Sequence, residues 1–202
     1  MLVAIASYKN NRKCRELFLD MLKHACKRNP DTVKYSENID ALRTTIGDYS
    51  NWINTEHRLI EHVGNKVRDR GRADIWIGNS SKDNRSSPSY RLIIENKIYA
   101  DNQDRQLRRY FRYLIGDNRI NAGLFYLCLT DDQQRKEGAK KSAEPFYSES
   151  GSKKDEETKY VIITYKNDIA NWLKQIIELK DLEPNFKTGV EQYFNIVEQI
   201  TK

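Results

Sequence analysis

The chain has 202 residues, 38% of them hydrophobic and 32% charged, with a mean hydropathy of −0.83. That is length enough for one core, and the Ile, Leu, Val, Tyr and Phe content excludes a wholly disordered chain, so a soluble globular protein with a very polar exterior is expected. Lys and Arg outnumber Asp and Glu by 35 to 29, giving +6 and a pI near 9.1, which serves solubility or draws the chain to a polyanion.

Three cysteines, Cys14, Cys26 and Cys128, are widely spaced. They offer no CxxC zinc pair and no disulfide framework, which makes a reducing cytoplasm the simplest compartment. The apolar start at 2–6 is too short to span a membrane and lacks a basic leader, so it is expected in the core.

Residues 12–28 place Cys14, Leu17, Phe18, Met21, Leu22 and Ala25 at helical spacing, and Asn29-Pro30 ends that helix. Glu16 lies off the centre of the stripe, as a solvated helix charge or as an acid reaching towards a metal site. The mixed stretch 31–50 carries only a short helix around Ile39 to Ile46. Residues 52–60 alternate as a strand with Trp52, Asn54, Glu56, Arg58 and Ile60 on one face. A polar turn from Gly64 to Gly71 leads into ADIWI, whose alternation puts Asp74 and Trp76 on one side and Ala73, Ile75 and Ile77 on the other. The Gly-, Ser-, Asn- and Pro-rich stretch 78–89 reads as a hairpin loop, making the next strand, YRLIIENK, antiparallel to ADIWI.

Asp101 or Asn102 caps a helix running to about Ile115. Its inward stripe is Gln103, Gln106, Leu107, Tyr110, Phe111 and Leu114, with Arg105, Arg108, Arg109 and Arg112 around the remaining surface. The apolar run 122–129 suits a strand buried on both faces. Residues 131–158 are polar and without apolar periodicity, a flexible excursion from a single domain spanning 1–202. A last strand at 160–165 precedes a helix from about Asn167 to Leu179, and a terminal helix after Pro184 turns Phe186, Val190, Tyr193, Phe194, Val197 and Ile200 inward.

Hydrolysis of a phosphodiester calls for a divalent cation that neutralises phosphate charge and lowers the pKa of an attacking water, and hard Mg²⁺ prefers a few carboxylate oxygens with open water positions. Asp74 and Glu95 fall on neighbouring strands, and Glu95 and Lys97 share a face because side chains repeat every two residues. They can converge on one ion. Each also has a plainer reading: Asp74 as a strand-end polar residue, Glu95 and Lys97 as a solvent-facing ion pair. Gln103 and Gln106, on a stripe of Leu and Tyr, are either buried amides whose partners a metal-site carboxylate or nucleic acid supplies, or residues that cap the helix or sit at its edge. His24, His57 and His62 lack metal-ligand spacing, and no Walker loop, GxGxxG or GxSxG occurs.

RADIWI, IIENKI and QLRRY, followed by ITYKNDIANWLKQI and VEQYFNIVEQI, resemble the PD-(D/E)xK nuclease superfamily, specifically a bacterial branch with an IENK strand. The resemblance implies a restriction-endonuclease-like α/β fold in which a central mixed sheet of 52–60, 72–77, 90–97, 122–129 and 160–165 is flanked by helices. It implies that Asp74 and Glu95 bind Mg²⁺ or Mn²⁺, that the backbone carbonyl of Asn96 adds a ligand, and that Lys97 positions the water or stabilises the pentacovalent phosphate. Gln106 and Tyr110 match the QxxxY positions. Glu56 looks like the additional acid before the Asp strand, with Glu16 a weaker candidate of that kind. Ala73 stands where the family has a proline that does no chemistry.

The expected activity is metal-dependent hydrolysis of DNA, with Arg105, Arg108, Arg109 and Arg112 holding phosphates or simply solvated. The alternatives are a catalytically inactive module of the same fold that binds nucleic acid or a protein partner, and an RNA-directed nuclease. DNA is expected ahead of RNA, a homodimer is open, and no membrane is involved.

Overall fold

The computed structural model describes residues 1–8, 11–46, 53–63, 66–78, 89–98, 105–115, 120–144 and 157–202. Among them, β1 (Ile53–Val63), β2 (Lys66–Gly78), β3 (Ser89–Lys97), β4 (Ile120–Cys128) and β5 (Val161–Thr164) form one sheet in sequence order. The β1–β2 and β2–β3 pairs are antiparallel, and β3–β4 and β4–β5 are parallel. This is the mixed sheet expected from the sequence. Its flanking helices are α1 (Leu2–Ala6), α2 (Arg12–Cys26), α3 (Val33–Ile46), α4 (Gln106–Ile115), α5 (Gln133–Ala143), α6 (Ala170–Ile177) and α7 (Pro184–Ile200). No helix among the described residues is long and apolar enough to cross a membrane.

Local chemistry starts the helices where they start. Asn11 accepts a hydrogen bond from the Lys13 N–H ahead of α2, and Glu183 accepts from the Asn185 and Phe186 N–H groups ahead of α7, whose first residue is Pro184. The helices then sort to two sides. Ile75, Ile77, Leu92, Ile94, Leu127 and Ile163 pack with residues of α1, α2, α3, α6 and α7. Trp76, Ile93, Leu124 and Tyr126 pack with α4 and with Ala139 and Ala143 of α5. Alternation in β3 sends Leu92 and Ile94 to the first side and Ile93, with Glu95 and Lys97, to the side that α4 covers.

The β1–β2 hairpin departs from expectation twice. Residues 66–71 are strand rather than turn, paired with β1 out to Val63↔Lys66. Gly71 lies within them at φ +108, where the register slips so that Arg70 and Gly71 both face the stretch between Arg58 and Ile60. That geometry is a β-bulge, and the positive φ is why glycine stands there. Secondly, Ala73 packs beside Trp76 beneath α4, not with Ile75 and Ile77. The alternation breaks at the step between the pairs Thr55↔Ile75 and His57↔Ala73, where Glu56 adopts φ 53.

Two helices exceed the sequence reading. α3 begins at Val33 because Asn29 caps a 3₁₀ turn, Pro30–Thr32, that feeds directly into it. The described part of the expected irregular excursion contains α5, capped by the Asp132 side chain, which accepts from the Arg135 N–H. Its buried face is Ala139, Ser142 and Ala143, too weakly apolar to register as a periodic stripe. Residues 145–156 lie outside the described residues.

Candidate active site

The β2–β3 ladder ends at Ile75↔Ile94. One step further, where Asp74 and Glu95 stand opposite, a side chain takes over from the backbone: Asp74 Oδ2 accepts the Asn96 N–H at 2.7 Å. The Asp74 and Glu95 carboxyls lie close enough for each to act on the other's pKa, and both feel the Lys97 ammonium. Asp74, Glu95 and Lys97 therefore meet beneath α4.

Lys97 Nζ lies 2.9 Å from Glu95 Oε1. The pair is not solvent-facing: Glu95 is 2% and Lys97 5% exposed. The other carboxyl oxygen, Glu95 Oε2, is buried without a hydrogen-bond partner. Burial, and behind it the negative charge of Asp74, push the Glu95 carboxyl up to about 7 against the pull of Lys97. Burial likewise raises the Asp74 pKa, opposed by the Asn96 N–H and by Lys97.

α4 closes the site from above. Gln106 Nε2 donates to the Tyr110 hydroxyl at 2.8 Å, and that hydroxyl donates to the Arg72 carbonyl at 2.5 Å. Burial raises the Tyr110 pKa, which keeps it a donor. Gln106 is buried, and its Oε1 has no partner. Glu95 Oε2, Gln106 Oε1 and the neighbouring Asn96 Oδ1 are thus buried acceptor oxygens without a donor among the described residues, a state uncommon in folded proteins.

An oxygen-only donor set with two mutually repelling carboxyls and a bare oxygen fits a hard divalent cation. Among the described residues no group of three or more His, Cys, Asp or Glu could hold a metal. A Mg²⁺-type ion is held through one or two carboxylates with water completing its sphere, so two suffice.

The remaining candidates scatter. Glu56 is exposed and paired with Arg72 at 3.5 Å, but its charge reaches Asp74. Glu16 is engaged by Arg43 at 3.1 Å and Arg12 at 3.3 Å, on a helix of the opposite layer. Arg105, Arg109 and Arg112 are half-buried. Arg108 is not at the surface as expected: it is 1% exposed, donates to Thr158 Oγ1 at 3.1 Å and lies over the Phe111 ring. α5 and the chain before β5 cover that side of α4, and neither carried a sequence signal. Gln103, Asp101, Asn102 and Trp52 lie outside the described residues.

Sequence reasoning missed the Arg72 carbonyl that anchors Tyr110, since backbone acceptors leave no residue-type signature. It also missed Ser142, whose Oγ accepts the Leu107 N–H at 3.1 Å in the first turn of α4.

No curated protein and no solved structure matches the chain. A family model described as the PD-(D/E)XK nuclease superfamily matches residues 6–195. Because that match takes in the whole sheet and nearly all of the helices that cover it, the chain belongs to the PD-(D/E)XK nuclease superfamily.

Proposed function

We propose that the protein is a nuclease that hydrolyses DNA phosphodiester bonds with Mg²⁺ or Mn²⁺ held by Asp74 and Glu95. The observation that carries this reading is the Glu95 carboxyl, buried between an acid and an ammonium with one oxygen bare. A buried ion pair left incomplete is costly unless something completes it.

The cation, when bound, neutralises phosphate charge and lowers the pKa of an attacking water. Asp74 and Glu95 are its carboxylate ligands, the Asn96 carbonyl is a further oxygen donor, and Glu56 is the outer acid. Lys97, fixed by Glu95 in a dry site, donates to the water or to the phosphate oxygen as negative charge builds there. Gln106 Oε1 accepts from a water, and Tyr110, tied to the Arg72 carbonyl, holds that amide in place. Arg105, Arg109 and Arg112 hold backbone phosphates, while Arg108 braces α4. All three cysteines are buried and free, which fits a reducing cytoplasm.

Purified protein with Mg²⁺ or Mn²⁺ should cut DNA, and Asp74→Ala or Lys97→Ala should each slow cleavage by about 100-fold or more. Failure to cut DNA or RNA, or undiminished cleavage by Asp74→Ala, would overturn the reading. Preferential cutting of RNA would transfer it to that substrate. Salt-sensitive DNA binding without turnover, and without Mn²⁺ binding that Glu95→Ala abolishes, would instead identify an inactive module.

A further inference from the structure

α4 starts in an unusual way. The residue before it, Arg105, accepts the Arg109 N–H on its carbonyl at 3.0 Å and so holds the N-cap position, but with φ 50. An N-cap ordinarily lies in the extended region and accepts a first-turn N–H through its side chain. Arg105 meets neither condition: it occupies the left-handed region that residues other than glycine seldom enter, and a guanidinium has donors only. Backbone strain of this kind gathers at functional sites. The acceptor comes from another helix. Ser142 of α5 is 1% exposed, and its Oγ accepts the Leu107 N–H at 3.1 Å.

What this borrowed cap grips is the turn that begins with Gln106. Gln106 Nε2 donates to the Tyr110 hydroxyl at 2.8 Å, and that hydroxyl donates to the carbonyl of Arg72, two residues before Asp74. Gln106 Oε1 is buried with no donor among the described residues. The Tyr110 bond fixes only the nitrogen of the amide. Where the oxygen stands depends on the backbone that carries it, and the peptide joining Gln106 to Leu107 is the one whose N–H Ser142 holds. A second tie grips α4 differently: Arg108 donates to Thr158 Oγ1 at 3.1 Å through its side chain and leaves the helix backbone untouched.

We propose that Ser142 is a positioning residue for the nuclease site: it caps α4 from a neighbouring helix and thereby fixes the backbone from which Gln106 presents its bare oxygen. The inference rests on the reading of Gln106 Oε1 as the acceptor for a water at that site. It also gives α5 a task. Ala139 and Ala143 share its buried face with Ser142, and side chains this small let α5 come close enough for a short hydroxyl to reach a backbone N–H. Without that hydroxyl the Leu107 N–H is buried and unpaired, a cost the turn relieves by moving.

Ser142→Ala keeps α5 and removes the acceptor. With saturating Mg²⁺, well below the melting temperature of each variant, its kcat for cleavage should fall about 10-fold with KM little changed, the lower end of the range for groups that orient others in a metal site. Gln106→Ala should lose at least as much, and the double variant should lose no more than Gln106→Ala alone, since Ser142 acts through Gln106. Thr158→Val, which unties Arg108 in the same helix, should lower the melting temperature and leave kcat unchanged. In metal-free protein, the Gln106 side-chain amide resonances should move in Ser142→Ala and stay in place in Thr158→Val. Losses that multiply in the double variant, an equal fall of kcat in Thr158→Val, or a lowered melting temperature with kcat and the Gln106 resonances unchanged would overturn the proposal and leave Ser142 a packing role. Wild type that cuts no nucleic acid would sink the nuclease reading instead, and the Gln106 resonances would still decide whether Ser142 places that amide. If Ser142→Ala does not fold, Ser142→Cys, close in shape but a weaker acceptor, gives the same decision.

Discussion

A carboxyl group nearly sealed from water, facing both an acid and an ammonium, keeps its proton while the burial and the acid dominate. That is the condition of Glu95, raised from 4.5 to about 7. Between those values the folded chain binds a proton that the unfolded chain has released, so stability is lost as pH rises through the window, by a few kcal/mol at most. Asp74, also raised by burial, acts in the same direction, whereas His57, lowered by burial and by Arg91, acts oppositely. The effect is therefore read as a difference between variants. In metal-free solution, calorimetry from about pH 5 to about pH 8 should show wild type losing more melting temperature than Glu95→Gln, which has no carboxyl to titrate. Added Mn²⁺ should restore wild type at the higher pH and leave Glu95→Gln where it was. Parallel curves for the two proteins would mean that Glu95 is already ionised in the metal-free site.

The β1–β2 ribbon positions Asp74 through irregularity, not through a regular ladder. The bulge at Gly71 and the φ of 53 at Glu56 turn Ala73 beneath α4 and bring the Arg72 carbonyl to the Tyr110 hydroxyl. A Cβ at Gly71 would meet Tyr110 Cε1 at 3.4 Å, an ordinary contact, so the cost of substitution lies in the backbone at φ +108. Gly71→Ala should destabilise by about 1–2 kcal/mol in denaturant melts. It should also slow cleavage beyond what the lost stability explains, because the Tyr110 anchor shifts with residue 72. A variant as stable as wild type would show that the ribbon tolerates the side chain. β1 and β2 were recognisable as strands from alternation, but the bulge was not: Gly71 sat in a polar stretch that reads equally well as a turn. α5 was missed for a related reason, since Ala139, Ser142 and Ala143 bury a face with almost no hydropathy contrast.

For the molecule as a whole, the net charge of +6 is modest, and acids and bases are interspersed. Binding to DNA should then depend on a few phosphate contacts near α4 and not on a general attraction. With the non-cleaving Glu95→Gln variant, fluorescence anisotropy should show affinity falling about 10- to 100-fold between roughly 50 and 200 mM salt, as for about three neutralised phosphates. Arg109→Ala should reduce the logarithmic salt slope by about 1. Arg108→Ala should act on stability, because that guanidinium is buried under Thr158 and Phe111. A slope unchanged by Arg109→Ala would move the phosphate path away from this helix.

Periodicity is a local property, and what depends on it was legible in the chain itself: the strands ADIWI and YRLIIENK, the shared face of Glu95 and Lys97, and the inward stripe with Gln106 and Tyr110. The antiparallel pairing of those two strands followed from the loop between them, and the mixed sheet from the family resemblance, while the order β1-β2-β3-β4-β5 came only with the structure. Burial is not local. Whether Glu95 and Lys97 form an exposed ion pair or a dry one depended on α4 and α5 closing over them, and the same closure took Arg108 out of solvent. Nor is contact between elements local: the Tyr110 hydroxyl of α4 donates to the Arg72 carbonyl of β2, and Ser142 of α5 accepts the Leu107 N–H, across 38 and 35 residues of chain. The residue types of the site were written in sequence, while the tertiary structure decided how little water is left around them and which distant groups hold them still.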